Sequence, residues 1–175
     1  MYAAPRRTNL GRNWTMLYPQ NASEIEIFIT TRREGVLTKI GHDLKLRVVP
    51  DSFVVEGEQF SGSVRVSEIE ILGALVGDDI ESMSSGDTAK ILKTIQKKVL
   101  EAKRYPEVTF SGTYGSSIDV ELVIRNKKGS LSLDHADGIW SGVLDHRDFG
   151  IAQVKALLGA LKVNPLIEIG VKLSS

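Results

Sequence analysis

The feature that most constrains this chain is a succession of short segments in which apolar and polar residues alternate, each ended by glycine, proline or a polar cluster. Residues 24–31 read EIEIFITT, with Ile25, Ile27 and Ile29 on one face. Leu44, Leu46 and Val48 alternate with Lys45 and Arg47 up to Pro50, and Phe53 and Val55 follow, ending at Gly57. Ile118, Val120 and Leu122 share a face, Leu131 and Leu133 form another short run, and Ile167, Ile169, Val171 and Leu173 close the chain. A period of two places successive side chains on opposite sides of the backbone, so each segment is a strand with one face to bury. Eight or nine such strands joined by short turns predict an antiparallel sheet that curls closed, with an interior just wide enough for side chains or one slender ligand.

The connections are less regular. Residues 32–35 read as a polar turn and 36–40 as a short apolar stretch broken at Gly41. Val64 and Val66 share one face, whereas Ile69 and Ile71 share the other. That change of parity near Ser67 and Glu68 predicts a bulge or a barrel corner. Residues 73–86 read as a loop and 126–129 as a hairpin turn. Residues 139–144 are apolar on both faces, which leaves Ile139 and Trp140 as alternatives for the inward position. Residues 156–161 suit a short helical or irregular segment.

One segment breaks the strand pattern. Ile91, Leu92, Ile95, Val99 and Leu100 recur at helical spacing, with most of the lysines on the other side, which predicts one covering helix over about residues 88–104. Asp87 suits its N-cap, Lys103 and Arg104 suit its C-terminal dipole, and Pro106 stops it. The period returns to two at once, through Val108 and Phe110. No chemistry is evident on the helix, and its lysines are explained by a solvated face.

With 22 basic and 22 acidic residues the formal net charge is zero, which argues against a dedicated nucleic-acid binder. The absence of cysteine excludes disulfides, thiolate metal sites and cysteine nucleophiles. No window approaches the roughly 20 apolar residues of a membrane-spanning helix, and no signal-like apolar run stands near the N-terminus. A soluble, cytoplasmic protein is the expectation. Its 175 residues suit a single domain over 21–175, preceded by an N-terminal arm (1–20) that Trp14 and Leu17 pin down.

Each histidine adjoins an aspartate: His42 and Asp43, Asp134 and His135, Asp145 and His146. Such pairs can hold a metal, or place a base beside its orienting carboxylate, but they suit imidazoles hydrogen-bonded at strand ends better, and next the polar end of a ligand cavity. The spacing matches no metal signature, and no serine stands in a nucleophile motif. The tripeptide Asp148, Phe149, Gly150 lacks every other part of a kinase site.

The order of elements, with RYPEVTFSGT after the helix and the late HRDFGI, resembles the YceI-like family of lipocalin-like β-barrels. The likeness runs from Glu24 to Leu173. GHDL at residues 41–44 is similar to one branch of the family, and the likeness extends through KALLGALKV at 155–163. Relatives often carry a leader. The family's glycine-rich strand pair is replaced here by ELVIRNKKGSLSL. The resemblance implies an all-β, antiparallel, eight-stranded barrel that holds a long amphiphile, typically a polyisoprenoid or isoprenoid quinone, along its axis. A hydrophobic small molecule is then the partner and no catalytic cofactor is implied. Candidate ligand contacts are Ile27, His42, Leu46, Val66, Phe110, Leu122, Trp140, His146 and Phe149, with Arg47 and Arg147 further candidates for the polar mouth. A filled core and a metal-dependent His/Asp enzyme are the alternative readings. Oligomeric state is not encoded in any feature of the sequence.

Overall fold

The alternating segments become strands, and most of them join one antiparallel ladder. The computed structural model describes residues 19–34, 42–156 and 161–174. In chain order the strands are β1 (Ile25–Thr31), β2 (Arg33–Glu34), β3 (Asp43–Val48), β4 (Ser52–Glu56), β5 (Gln59–Arg65), β6 (Glu70–Val76) and β7 (Asp79–Glu81). After the helix come β8 (Glu107–Thr113), β9 (Ile118–Ile124), β10 (Lys127–Ala136), β11 (Ile139–Asp145), β12 (Lys155–Ala156), β13 (Leu161–Val163) and β14 (Leu166–Leu173). The large sheet has the order β4-β5-β8-β9-β10-β11-β14-β1-β3-β6-β7, and β12-β13-β2 form a small one. Eight strands of the large sheet, β1, β5, β6, β8, β9, β10, β11 and β14, have seven residues or more, and the six-residue β3 joins β1 to β6. The inward side chains of β1, β3, β4, β5, β8, β9, β10, β11 and β14 line one common lumen, so the sheet is rolled around it.

The parity change is a corner. Val66–Glu68 form a 3₁₀ turn in which the Ile69 N–H donates to the Val66 carbonyl, and the chain passes from β5 into β6 across it. Val66 is 1% exposed at this corner. The segment expected as a loop at 73–86 is mostly a hairpin: β6 turns at Gly77 (φ 65°) into β7. The polar turn expected at 32–35 contains β2, which pairs with β13. The hairpin expected at 126–129 turns one residue earlier. Arg125 (φ 52°) and Asn126 (φ 59°) both occupy the left-handed region, so Ile124 faces Lys127 across a two-residue turn. Trp140 is the inward residue, 4% exposed against 41% for Ile139. Of residues 156–161, Lys155–Ala156 and Leu161–Val163 pair as strands, and 157–160 lie outside the described residues. The arm at 1–18 and the stretch 35–41 also lie outside them.

The helix starts earlier and ends earlier than its periodicity implied. α1 spans Ser85–Thr94, and Ser84 rather than Asp87 is the N-cap. The Ser84 hydroxyl accepts from the Asp87 N–H at 3.1 Å and donates to the Asp87 carboxylate at 2.8 Å, a reciprocal capping arrangement. A π-turn at Ile95–Val99 continues the rod, with the Leu100 N–H donating to the Ile95 carbonyl at 2.8 Å. Glu101 (φ 50°) then ends it in the left-handed conformation, and the Ala102 N–H closes back on the Gln96 carbonyl. Lys103 and Arg104 lie past the end. Leu92, Ile95 and Leu100 pack against Val64, Val66 and Ile69, so the helix covers the corner where β5 becomes β6. Among the described residues no helix is long and apolar enough to cross a membrane.

Candidate ligand-binding cavity

Reciprocal pairs of glycine and phenylalanine stand in the wall of the lumen. Across β5 and β8, Phe60 faces Gly112 and Gly62 faces Phe110. A Cβ built on Gly112 would stand 2.5 Å from the Phe60 ring, and one on Gly62 would stand 2.5 Å from the Phe110 ring. The tip of each ring therefore fills the space over the opposite glycine that a Cβ would need. Phe53 and Tyr114 extend the same aromatic layer, with ring centroids 5.8 Å and 4.9 Å from Phe60.

What remains is a cavity of about 560 Å³, inside the range typical of small-molecule sites. Its wall is almost wholly aliphatic and aromatic: Ile27, Leu46, Phe110, Leu122 and Trp140 of the expected contacts all line it. The helix contributes too. Ile91, Ile95 and Val99, spaced four apart on one face, line the cavity, and Thr94 and Lys90 stand beside them. The Lys90 side chain is 83% exposed, so its ammonium is in water. The same periodicity that located the helix would have identified this lining face, had the helix been read as part of the wall instead of as a cover.

His146 is the buried polar group of this wall. It begins a 3₁₀ turn, His146–Phe149, directly after β11, and is 7% exposed. Its Nδ1 lies 3.0 Å from the Ile151 carbonyl, and its backbone N–H donates to the Pro165 carbonyl. Nε2 is buried, with no hydrogen-bond partner among the described residues. Leaving such an atom unsatisfied costs about 1–3 kcal/mol.

Three expected contacts fall elsewhere. His42 is exposed and does not line the cavity, because it precedes β3 and its neighbour Asp43 turns back to accept from the Arg33 N–H at 2.8 Å. Val66 lies in the packed corner. Phe149, 1% exposed, is spent on Gly129, where its ring would meet an added Cβ at 2.5 Å. The two arginines proposed for the mouth are occupied outside. Arg47 donates to Glu70 at 2.7 Å and sits 3.6 Å from Glu26, and Arg147 holds Asp145 at 2.6 Å. The hydrogen bonds and charge of Arg147 bring the Asp145 carboxyl down to about 2.

Strand register separates the histidines. His42 and His146 adjoin the same end of the sheet, since Thr31 pairs with Leu44, Thr30 with Glu168 and Asp145 with Leu166. Three strand spacings lie between them, about 14 Å along the sheet. His135 is at the other end, where Ala136 pairs with Ile139 and Ile139 with Lys172, and its ring packs 4.9 Å from Trp140. A shared metal or a catalytic His/Asp cluster is not what this register assembles.

No family model and no curated protein matches the sequence. Among solved structures the chain is similar to a polyisoprenoid-binding domain from Saccharophagus degradans implicated in plant cell wall breakdown. That match has a TM-score of 0.49 and 7% identity, over 85% of this chain and 95% of that one. It is also similar to the Campylobacter jejuni YceI protein, with a TM-score of 0.37 and 15% identity over the whole of both chains.

Proposed function

We propose that this protein binds and carries a long apolar amphiphile, such as a polyisoprenoid, an isoprenoid quinone or another lipid with an extended chain. The observation that supports this reading is the 560 Å³ lumen walled by aliphatic and aromatic side chains from ten strands and the helix. A chain in that lumen is removed from water along its length, at about 0.8 kcal/mol per methylene. Binding rather than catalysis is the role such a wall suits, since it offers apolar area and shape in place of a nucleophile with its base.

Native mass spectrometry after mild purification tests this directly. The expected result is a mass increment that organic extraction removes and that identifies as a long-chain lipid. Displacement of a fluorescent fatty-chain probe should follow the same ligand. A protein that neither retains a lipid nor takes up any such probe would end the proposal.

A further inference from the structure

The cavity wall also specifies what kind of head group belongs beside His146. In the neutral imidazole one ring nitrogen carries a proton and the other a lone pair. The Ile151 carbonyl, 3.0 Å from Nδ1, can only accept. Nδ1 must therefore carry the proton, and Nε2 is left as a bare acceptor. That acceptor has almost no water-accessible surface and no partner, although the residue it belongs to forms part of the cavity wall. Ile151, Val154, Val163 and Ile167 line the same cavity.

We infer that the ligand carries an un-ionised hydroxyl head group that donates a hydrogen bond to His146 Nε2: a long-chain alcohol, not a quinone or a phosphorylated chain. This rests on the carrier reading above. A quinone carbonyl has only lone pairs and would face the Nε2 lone pair. A phosphate buried in an apolar wall needs a cation beside it, and Lys90, the one lysine at the wall among the described residues, holds its ammonium in water. An alcohol satisfies the acceptor with a neutral group. Nε2 has almost no accessible surface, so the oxygen reaches it by displacing neighbouring side chains, a local movement of side chains and not of strands.

Farnesol, farnesyl methyl ether and farnesyl diphosphate, competed against a fluorescent fatty-chain probe, test the inference. One hydrogen bond to a buried acceptor should make farnesol bind about 5- to 10-fold more tightly than the ether, which keeps the oxygen and loses the donor. The difference should vanish in His146→Phe. Because that variant also loses the bond to Ile151, the unmodified protein is followed in parallel by ¹⁵N NMR of the imidazole. The expected spectrum is that of the Nδ1–H tautomer, with an Nε2 resonance that moves on addition of farnesol and not of the ether. Equal affinity for alcohol and ether, an Nε2–H tautomer, or tighter binding of the diphosphate would each overturn the inference while leaving the carrier reading in place. Binding of none of the three would remove both.

Discussion

Asp145 and His146 are adjacent in the chain and opposite in role. The Asp145 side chain caps the 3₁₀ turn by accepting from the Arg147 N–H at 2.9 Å, and it also accepts from the Arg147 guanidinium. Its folded form therefore holds a proton less tightly than the unfolded chain does. The stability this contributes is complete above the ordinary carboxylate value of 3.8 and is lost as pH falls through about 2. The pair is solvent-exposed, so the contribution is small. A carboxyl ¹³C titration should place the Asp145 midpoint near 2, and Arg147→Ala should raise it toward 3.8; a midpoint unmoved by that change would show that the arginine is not the cause. Two valine- and leucine-sized positions separate wall from core in the same way. Val66, 1% exposed, has no room, and Val66→Trp should cost about 1–3 kcal/mol or fail to fold. Leu122 faces the cavity, so Leu122→Trp should fold with little loss of stability and abolish binding of the fatty-chain probe. The reverse pattern in urea melts and probe titrations would mean that the lumen is misplaced.

At the scale of elements, the helix is held less by burial than by its end. No residue of α1 or of the π-turn is fully buried. Arg125, in the β9–β10 turn, pairs with Glu101 at 2.5 Å, and its guanidinium approaches the Val99 and Gly150 carbonyls at 3.4 Å. A cation at a helix C-terminus is stabilising, and this one ties the helix to two turns of the barrel at once. Arg125→Gly keeps the left-handed backbone and removes the tie. The expected outcome is faster amide exchange in α1 and faster probe dissociation, with exchange in β9 and β10 unchanged; uniform behaviour throughout would mean that the helix is not a separately held cover. This arrangement was only partly legible in the sequence. Period-two segments located most strands, and the period of 3.6 located the helix, because burial of one face imposes those periods on composition. Ser84 and Arg125 were not found, since a cap and a positive-φ arginine are choices of local hydrogen bonding that hydrophobic pattern does not record. The β6–β7 hairpin was hidden for a related reason: a two-residue turn at Gly77 joins strands whose faces, at Ala74 and Leu75, are apolar in succession.

For the whole molecule, the sequence left open whether the barrel is filled or hollow. Apolar counts could not decide it, because Phe60 and Phe110 occupy inward positions in either case. What the counts miss is that each ring reaches over the glycine paired with it on the neighbouring strand, and such a glycine looks like an ordinary strand interruption in the sequence. A hollow barrel has a thermodynamic signature that a filled one lacks. Saturated alcohols of increasing length should bind with an affinity that rises about four-fold per methylene, as expected from roughly 0.8 kcal/mol for each one buried. The rise should stop at the length that fills the 560 Å³ lumen, beyond which added carbons stay in water and contribute nothing. Isothermal titration should show a negative heat-capacity change that grows along the same series and levels at the same length. The melting temperature should follow, since a ligand present at 100 times its dissociation constant adds about 2.7 kcal/mol of stability. Affinity that is flat with chain length would mean surface adsorption, and a rise without a break would mean micelle-like association; either pattern is incompatible with a lumen of fixed volume.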